Sequence, residues 1–175
     1  MKTLKTILSA FALAAILSTG ALAQQAIVNA SANVLNVLQV SGSDIVFGDV
    51  DNNTNAYIQA GFTGETASSN TGSDTPGAVS ISQGANNTTV EIVWNTDVVL
   101  SDGTNTINFQ PVLSHNSTEK AGAGGGTSKT ASLSLDGSGE ATISIGGSLS
   151  SAGAIAGSYS TSNAGGTALT VTVSY

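Results

Sequence analysis

The chain has 175 residues, with 11 Asp and Glu against 4 Lys, and neither Arg nor Cys. A cysteine-free sequence excludes a disulfide scaffold and a cysteine-ligated metal centre. So acidic a chain also excludes nucleic-acid binding, which depends on basic side chains neutralising phosphates.

In chain order, Lys2 and Lys5 precede an apolar run from Ile7 to Leu17, followed by Ala21-Leu22-Ala23, a small-x-small cleavage pattern. Residues 1–23 therefore read as a secretory signal peptide. The apolar run falls short of the roughly 20 residues that span a bilayer, so no transmembrane segment is expected. Processing would leave 152 residues (175 − 23) from Gln24, with Lys120 and Lys129 as the only bases and a net charge of −9 (2 − 11). Such a length suits one domain that buries about two-thirds of its unfolded surface.

The rest is rich in Gly, Ser, Thr, Asn, Ala and Val, with short β-branched runs between turn-forming clusters and no convincing helix. Ala26, Val28, Ala30, Ala32 and Val34 alternate with Asn29, Ser31 and Asn33, the two-residue period of a strand with one buried face. This N-terminal segment is assigned to 24–40 and the sandwich domain to 41–175. Asp44–Gly48 places Ile45 and Phe47 on one face and is expected to be a strand. Further strands are expected around Val79–Ile81, at Val90, Ile92 and Trp94, at Ile107 and Phe109, at Leu133 and Leu135, and at Ala141, Ile143 and Ile145. Asp136-Gly137-Ser138-Gly139 between the last two predicts a hairpin. The clearest strand is the last, in which Leu169, Val171, Val173 and Tyr175 alternate with Thr170, Thr172 and Ser174. Thr63–Gly77 and Ser114–Lys129 read as long exposed loops.

Seven or more short antiparallel strands imply an all-β, immunoglobulin-like antiparallel sandwich, with a closed barrel as the alternative. Trp94 is expected in its core.

Catalytic and cofactor chemistry finds little support. Gly122–Thr130 has Ser128, not Gly, before its lysine, which fails the phosphate-loop pattern. Asp49, Asp51, Asn53 and Asn55 offer oxygens at alternate positions. Thr54 and Ala60, however, stand where a calcium loop needs Gly and Glu, so an Asx-rich turn is the better reading and weak cation binding the alternative. His115, the only imidazole, cannot alone build a histidine metal cluster, and no spacing marks triad partners. The expectation is a non-enzyme without catalytic, metal or cofactor sites.

Three pieces carry a resemblance to the fimbrial subunits of the chaperone-usher type and to spore-coat-U-like domains of secreted bacterial proteins. They are Asp44-Ile45-Val46-Phe47-Gly48; Ile145-Gly146-Gly147-Ser148-Leu149 with Gly157-Ser158-Tyr159; and Thr170-Val171-Thr172-Val173-Ser174-Tyr175. The chain departs from such proteins in lacking their usual disulfide and in carrying its closing aromatic one residue late.

The resemblance implies an incomplete sandwich, completed in the periplasm by a chaperone and then by the N-terminal strand of the next subunit. It further implies a fimbrium or other surface location and partners consisting of further copies, a chaperone and an outer-membrane usher. Ala26, Val28, Ala30, Ala32 and Val34 would then form the donor interface, and Leu169, Val171, Val173 and Tyr175 the edge strand beside it. A strand edge with unpaired N–H and C=O groups is itself a template for another chain, whatever the ancestry. The alternative is a monomeric secreted adhesion module that binds through its long loops.

Overall fold

The computed structural model describes residues 37–65 and 73–175, and among these there is no helix. The strands, in chain order, are β1 (Gln39–Ser43), β2 (Ala56–Ile58), β3 (Gly77–Ser82), β4 (Thr89–Asn95) and β5 (Val98–Ser101). They continue with β6 (Thr106–His115), β7 (Thr118–Glu119), β8 (Ser128–Ser134), β9 (Ala141–Leu149) and β10 (Val171–Ser174).

All pairings are antiparallel. The larger sheet has the order β1-β3-β9-β6-β5, with β2 added on β9 and β7 on β6. The smaller sheet has only three strands, β10-β4-β8. The fold is thus an all-β antiparallel sandwich, as the alternating patterns predict.

Two-residue periodicity builds the core. Val90, Ile92 and Trp94 of β4 face inward with Leu133 of β8, against Val79 and Ile81 of β3, Leu113 of β6, and Ile143 and Ile145 of β9. Trp94 is 2 % exposed, as expected of a core residue, and its indole Nε1 has no acceptor among the described residues. A second cluster joins Phe47, Ala56, Ile58, Val98, Phe109 and Leu149, all from the larger sheet or the segment after β1. Its two aromatic rings meet edge to face at 5.3 Å, a favoured arrangement.

Gly146 and Gly147 let strands crowd around β9. A side chain on Gly146 would strike the backbone of Ile58 to Ala60, and one on Gly147, at φ +137°, the carbonyl of Gln110. Bare backbone here brings β2 and β6 onto opposite edges of β9.

Several expectations change. Asp136–Gly139 is not a hairpin: β8 pairs with β4 and β9 with β3, so the turn arches from one sheet to the other. It is locked to the turn after β3, where Gly84 N donates to Gly139 O (3.0 Å) and Asn87 N to Asp136 O (2.8 Å). The Asp136 carboxylate accepts from Ser138 N and Glu140 N.

Ser114–Lys129 is not one long loop. Asn116 and Ser117 adopt positive φ and join β6 to β7 by a two-residue turn, the conformation such hairpins need. Asp44–Gly48 is not a regular strand either; it carries one bridge, Val46 with Thr75, while β1 lies just before it and includes Gln39 and Val40. The alternation nonetheless holds locally, with Phe47 buried and Val46 48 % exposed. β5 escapes the sequence pattern because Val98-Val99-Leu100 does not alternate.

Candidate functional site

Strand edges expose backbone donors and acceptors, so, besides the short β2 and β7, the four margins that end the two strand paths, at β1, β5, β8 and β10, are the places to look for binding. Two are covered. Along β5, Val99 exchanges both backbone hydrogen bonds with Thr167 (3.1 and 2.8 Å) and Ser101 with Ser160 (3.0 and 2.9 Å). Ser101 Oγ also donates to Ala164 O, and Asn163 Nδ2 to Ser101 O. Along β8, Thr130 pairs with Ala123 (2.7 and 2.8 Å), and Lys120 Nζ reaches Ser132 O.

The other two margins have no strand beside them among the described residues. All five residues of β1 are exposed. On β10, Val171 and Val173 are half-buried while Thr172 and Ser174 face solvent. Between these two open margins lies a groove of about 570 Å³. Val40 stands on its β1 side, Leu169 and Val171 on its β10 side, and Val79, Phe109 and Ile145 of the core lie among its lining. The larger sheet thus extends past the point where the smaller sheet stops, leaving apolar residues beneath a gap at the β10 margin.

Of the expected edge residues, Leu169 and Val171 line the groove. Leu169, Val171 and Val173 pack against the core from one side. Tyr175 is 46 % exposed, and its hydroxyl accepts a hydrogen bond from Ala85 N at 2.8 Å. The donor residues Ala26, Val28, Ala30, Ala32 and Val34 lie outside the described residues, as do the signal segment and residues 66–72 of the first predicted loop.

A second cavity, of about 670 Å³, adjoins the groove and shares Ile45, Val46, Phe47, Leu100 and Tyr159 with it. Ile155, 62 % exposed, lies at its wall. Sequence reasoning missed this cavity: a lone Ile in an Ala- and Gly-rich turn has no periodic neighbours to mark it.

The remaining candidates are used structurally. Asp51 Oδ1 accepts from the backbone and side-chain amides of Asn53 (2.9 and 2.6 Å), the Asx turn read from the sequence. Among the described residues no three His, Asp or Glu side chains are placed to share a metal ion. His115 Nδ1 donates to the Thr142 carbonyl at 2.8 Å, the carbonyl being able only to accept.

Glu65 clamps the turn after β2, accepting from Tyr57 Oη (3.0 Å) and from the backbone N–H groups of Ala60, Gly61 and Phe62. Burial, then the Glu65 hydrogen bond and charge, push the Tyr57 hydroxyl up to about 12. Among the described residues no helix is long and apolar enough to cross a membrane. No family model, curated protein or solved structure matches the chain.

Proposed function

We propose that the protein is a structural subunit of an extracellular filament, pilin-like, in which the N-terminal strand of one copy completes the sandwich of the next. The supporting observation is the groove between the open margins of β1 and β10, whose lining mixes the apolar Val40, Phe109, Ile145 and Val171 with the polar Ser43, Asp44 and Thr161. A strand laid along β10 would extend the three-stranded sheet to four and cover Val171, Phe109 and Ile145. Backbone pairing supplies the affinity of such a join and alternate side chains its register.

Residues 24–38, which precede β1, suit that role because none is charged, so the arm itself brings no charge into the groove. Small apolar side chains at 26, 28, 30, 32 and 34 would each contribute roughly 0.5–2 kcal/mol by burial, so the join needs several acting together. Contacts of this head-to-tail kind propagate instead of closing. Export through the periplasm and use of a chaperone and usher belong to the same reading.

The test is deletion of residues 24–34. The shortened chain should fold and remain monomeric by light scattering, and a synthetic peptide of that sequence should bind it. Filaments of normal length from the deletion variant, seen by electron microscopy, would overturn the proposal. A monomeric full-length chain whose segment 26–34 is protected from hydrogen exchange in its own sheet would favour the adhesion module instead.

A further inference from the structure

The two core clusters are covered differently. The first lies between the sheets, beneath β4 and β8. The second draws its residues from the larger sheet and the segment after β1, and the cavity beside it is walled by residues of 45–52 and 151–159, none of them in a strand. Asn52 ties these two walls together, its carbonyl accepting from Gly153 N at 2.7 Å and its Nδ2 donating to Ala154 O at 3.1 Å. Tyr159 Oη donates to Ile155 O at 2.8 Å. The cavity of about 670 Å³ is therefore held open by the chain's own bonds, and its size lies within the roughly 300–1,000 Å³ of small-molecule sites.

Its lining combines apolar surface with negative charge. Buried Phe47 and Leu149 and half-buried Leu100 and Ile107 belong to it, while Val46 and Ile155 in its walls leave large apolar side chains in water. A ligand with an apolar body would cover that surface, which is favourable. Asp49 and Asp51 line the same cavity. Asp102 stands behind the other wall, its Oδ2 only 3.1 Å from where a Cβ on Gly157 would lie. Among the described residues no Lys or His lines the cavity, and Asp49 has no hydrogen-bonding or ion-pairing partner.

We propose that this cavity binds a small organic amine, a primary or quaternary ammonium group carried on an aromatic or branched aliphatic body. The body covers Ile155 and the apolar lining, and the cation faces Asp49 and Asp51. Charge selects the head group. An anion would meet carboxylates with no base to offset them, and a neutral alcohol would gain the apolar contact alone. A bare metal ion would leave the apolar lining uncovered, and among the described residues no three acidic or imidazole side chains are placed to share one. The inference goes beyond filament assembly and does not need it, since no residue of β10 or of the N-terminal arm takes part.

The test uses three probes of one shape and different charge, phenylbutylamine, phenylbutanol and phenylbutyrate, titrated into the isotope-labelled protein and followed by NMR. The amine should shift the amides of Gly48, Gly153 and Tyr159. It should bind about five- to tenfold more tightly than the alcohol, as two solvent-exposed carboxylates can supply, with the butyrate weakest and the amine's advantage shrinking as salt rises. Equal affinities, tightest binding of the butyrate, or no shift at these amides would overturn the proposal.

Two pairs of substitutions separate the site from the acidity of the whole chain. Asp49→Asn with Asp51→Asn keeps an Oδ1 acceptor for the turn at Asn53 and should reduce the amine to the alcohol's affinity. Glu91→Gln with Glu140→Gln removes as much charge from exposed positions outside the cavity and should leave the ratio of amine to alcohol unchanged. An equal fall in that ratio from both pairs would overturn the site in favour of general attraction. Ile155→Ser should weaken all three probes severalfold, and unchanged binding would remove the apolar seat and the proposal with it.

Discussion

The outer margin of β5 and the outer margin of β10 present the same backbone groups, yet the molecule finishes them in opposite ways. β5 is covered by the stretch from Ser160 to Thr167, which returns four backbone hydrogen bonds and anchors itself through Ser101 and Asn163. β10 has no such cover among the described residues, and its two valines stay half-buried, with Val171 in the lining of a groove. Local Ser- and Asn-rich chain is sufficient to cap an edge in this fold. The uncapped edge is therefore the informative one, since the same composition is abundant nearby and does not cover it.

The comparison can be broken at either margin. Val171→Asp with Val173→Asp would place carboxylates where a donated strand must bury apolar side chains. Assembly should weaken on the order of a hundredfold or more, measured as the protein concentration needed for filaments, while the isolated domain loses about 1 kcal/mol. Filaments at the normal concentration would mean that β10 is not the acceptor.

In the arch between β8 and β9, Gly139→Ala forces a side chain into the Gly84 backbone at a φ of +75° and should cost about 2–3 kcal/mol in denaturant unfolding. At the covered margin, Ser101→Ala removes bonds to Ala164 O and from Gly103 N. The expected loss is about 1 kcal/mol, with faster hydrogen exchange at the Val99 and Ser101 amides and no change in assembly.

The smallest effects are those of pH. Backbone N–H groups of Glu140 and then Ser138 hold the Asp136 carboxyl below its ordinary range, so its contribution is present at neutral pH and lost as pH falls below about 4. Tyr57 acts in the opposite sense. Its raised value means stability is full below about 10 and lost as pH rises towards 12. Tyr57→Phe should flatten the alkaline limb and Asp136→Asn the acid limb of unfolding midpoint against pH.

The buried faces were legible in the sequence wherever residues alternate, as in Val90, Ile92 and Trp94 or Ile143 and Ile145, because a half-buried strand imposes that period. Which strands pair was not. Asp136–Gly139 has the composition of a hairpin turn, and glycine tolerates the required backbone equally well in an arch between sheets. The last strand was legible from the Leu169–Tyr175 alternation, but that its outer margin has no strand beside it among the described residues was not. Nor was the β1 margin, since Val40-Ser41-Gly42-Ser43 carries little periodicity. The groove arises from strand order, which depends on long-range packing that no local pattern encodes.

Trp94 gives the molecule a built-in optical reporter. It is the only tryptophan, it is buried with no acceptor for its indole nitrogen among the described residues, and it stands opposite Val171 of β10. Binding along that strand changes the surroundings of a single fluorophore, so its emission can follow the kinetics of subunit joining without any attached dye.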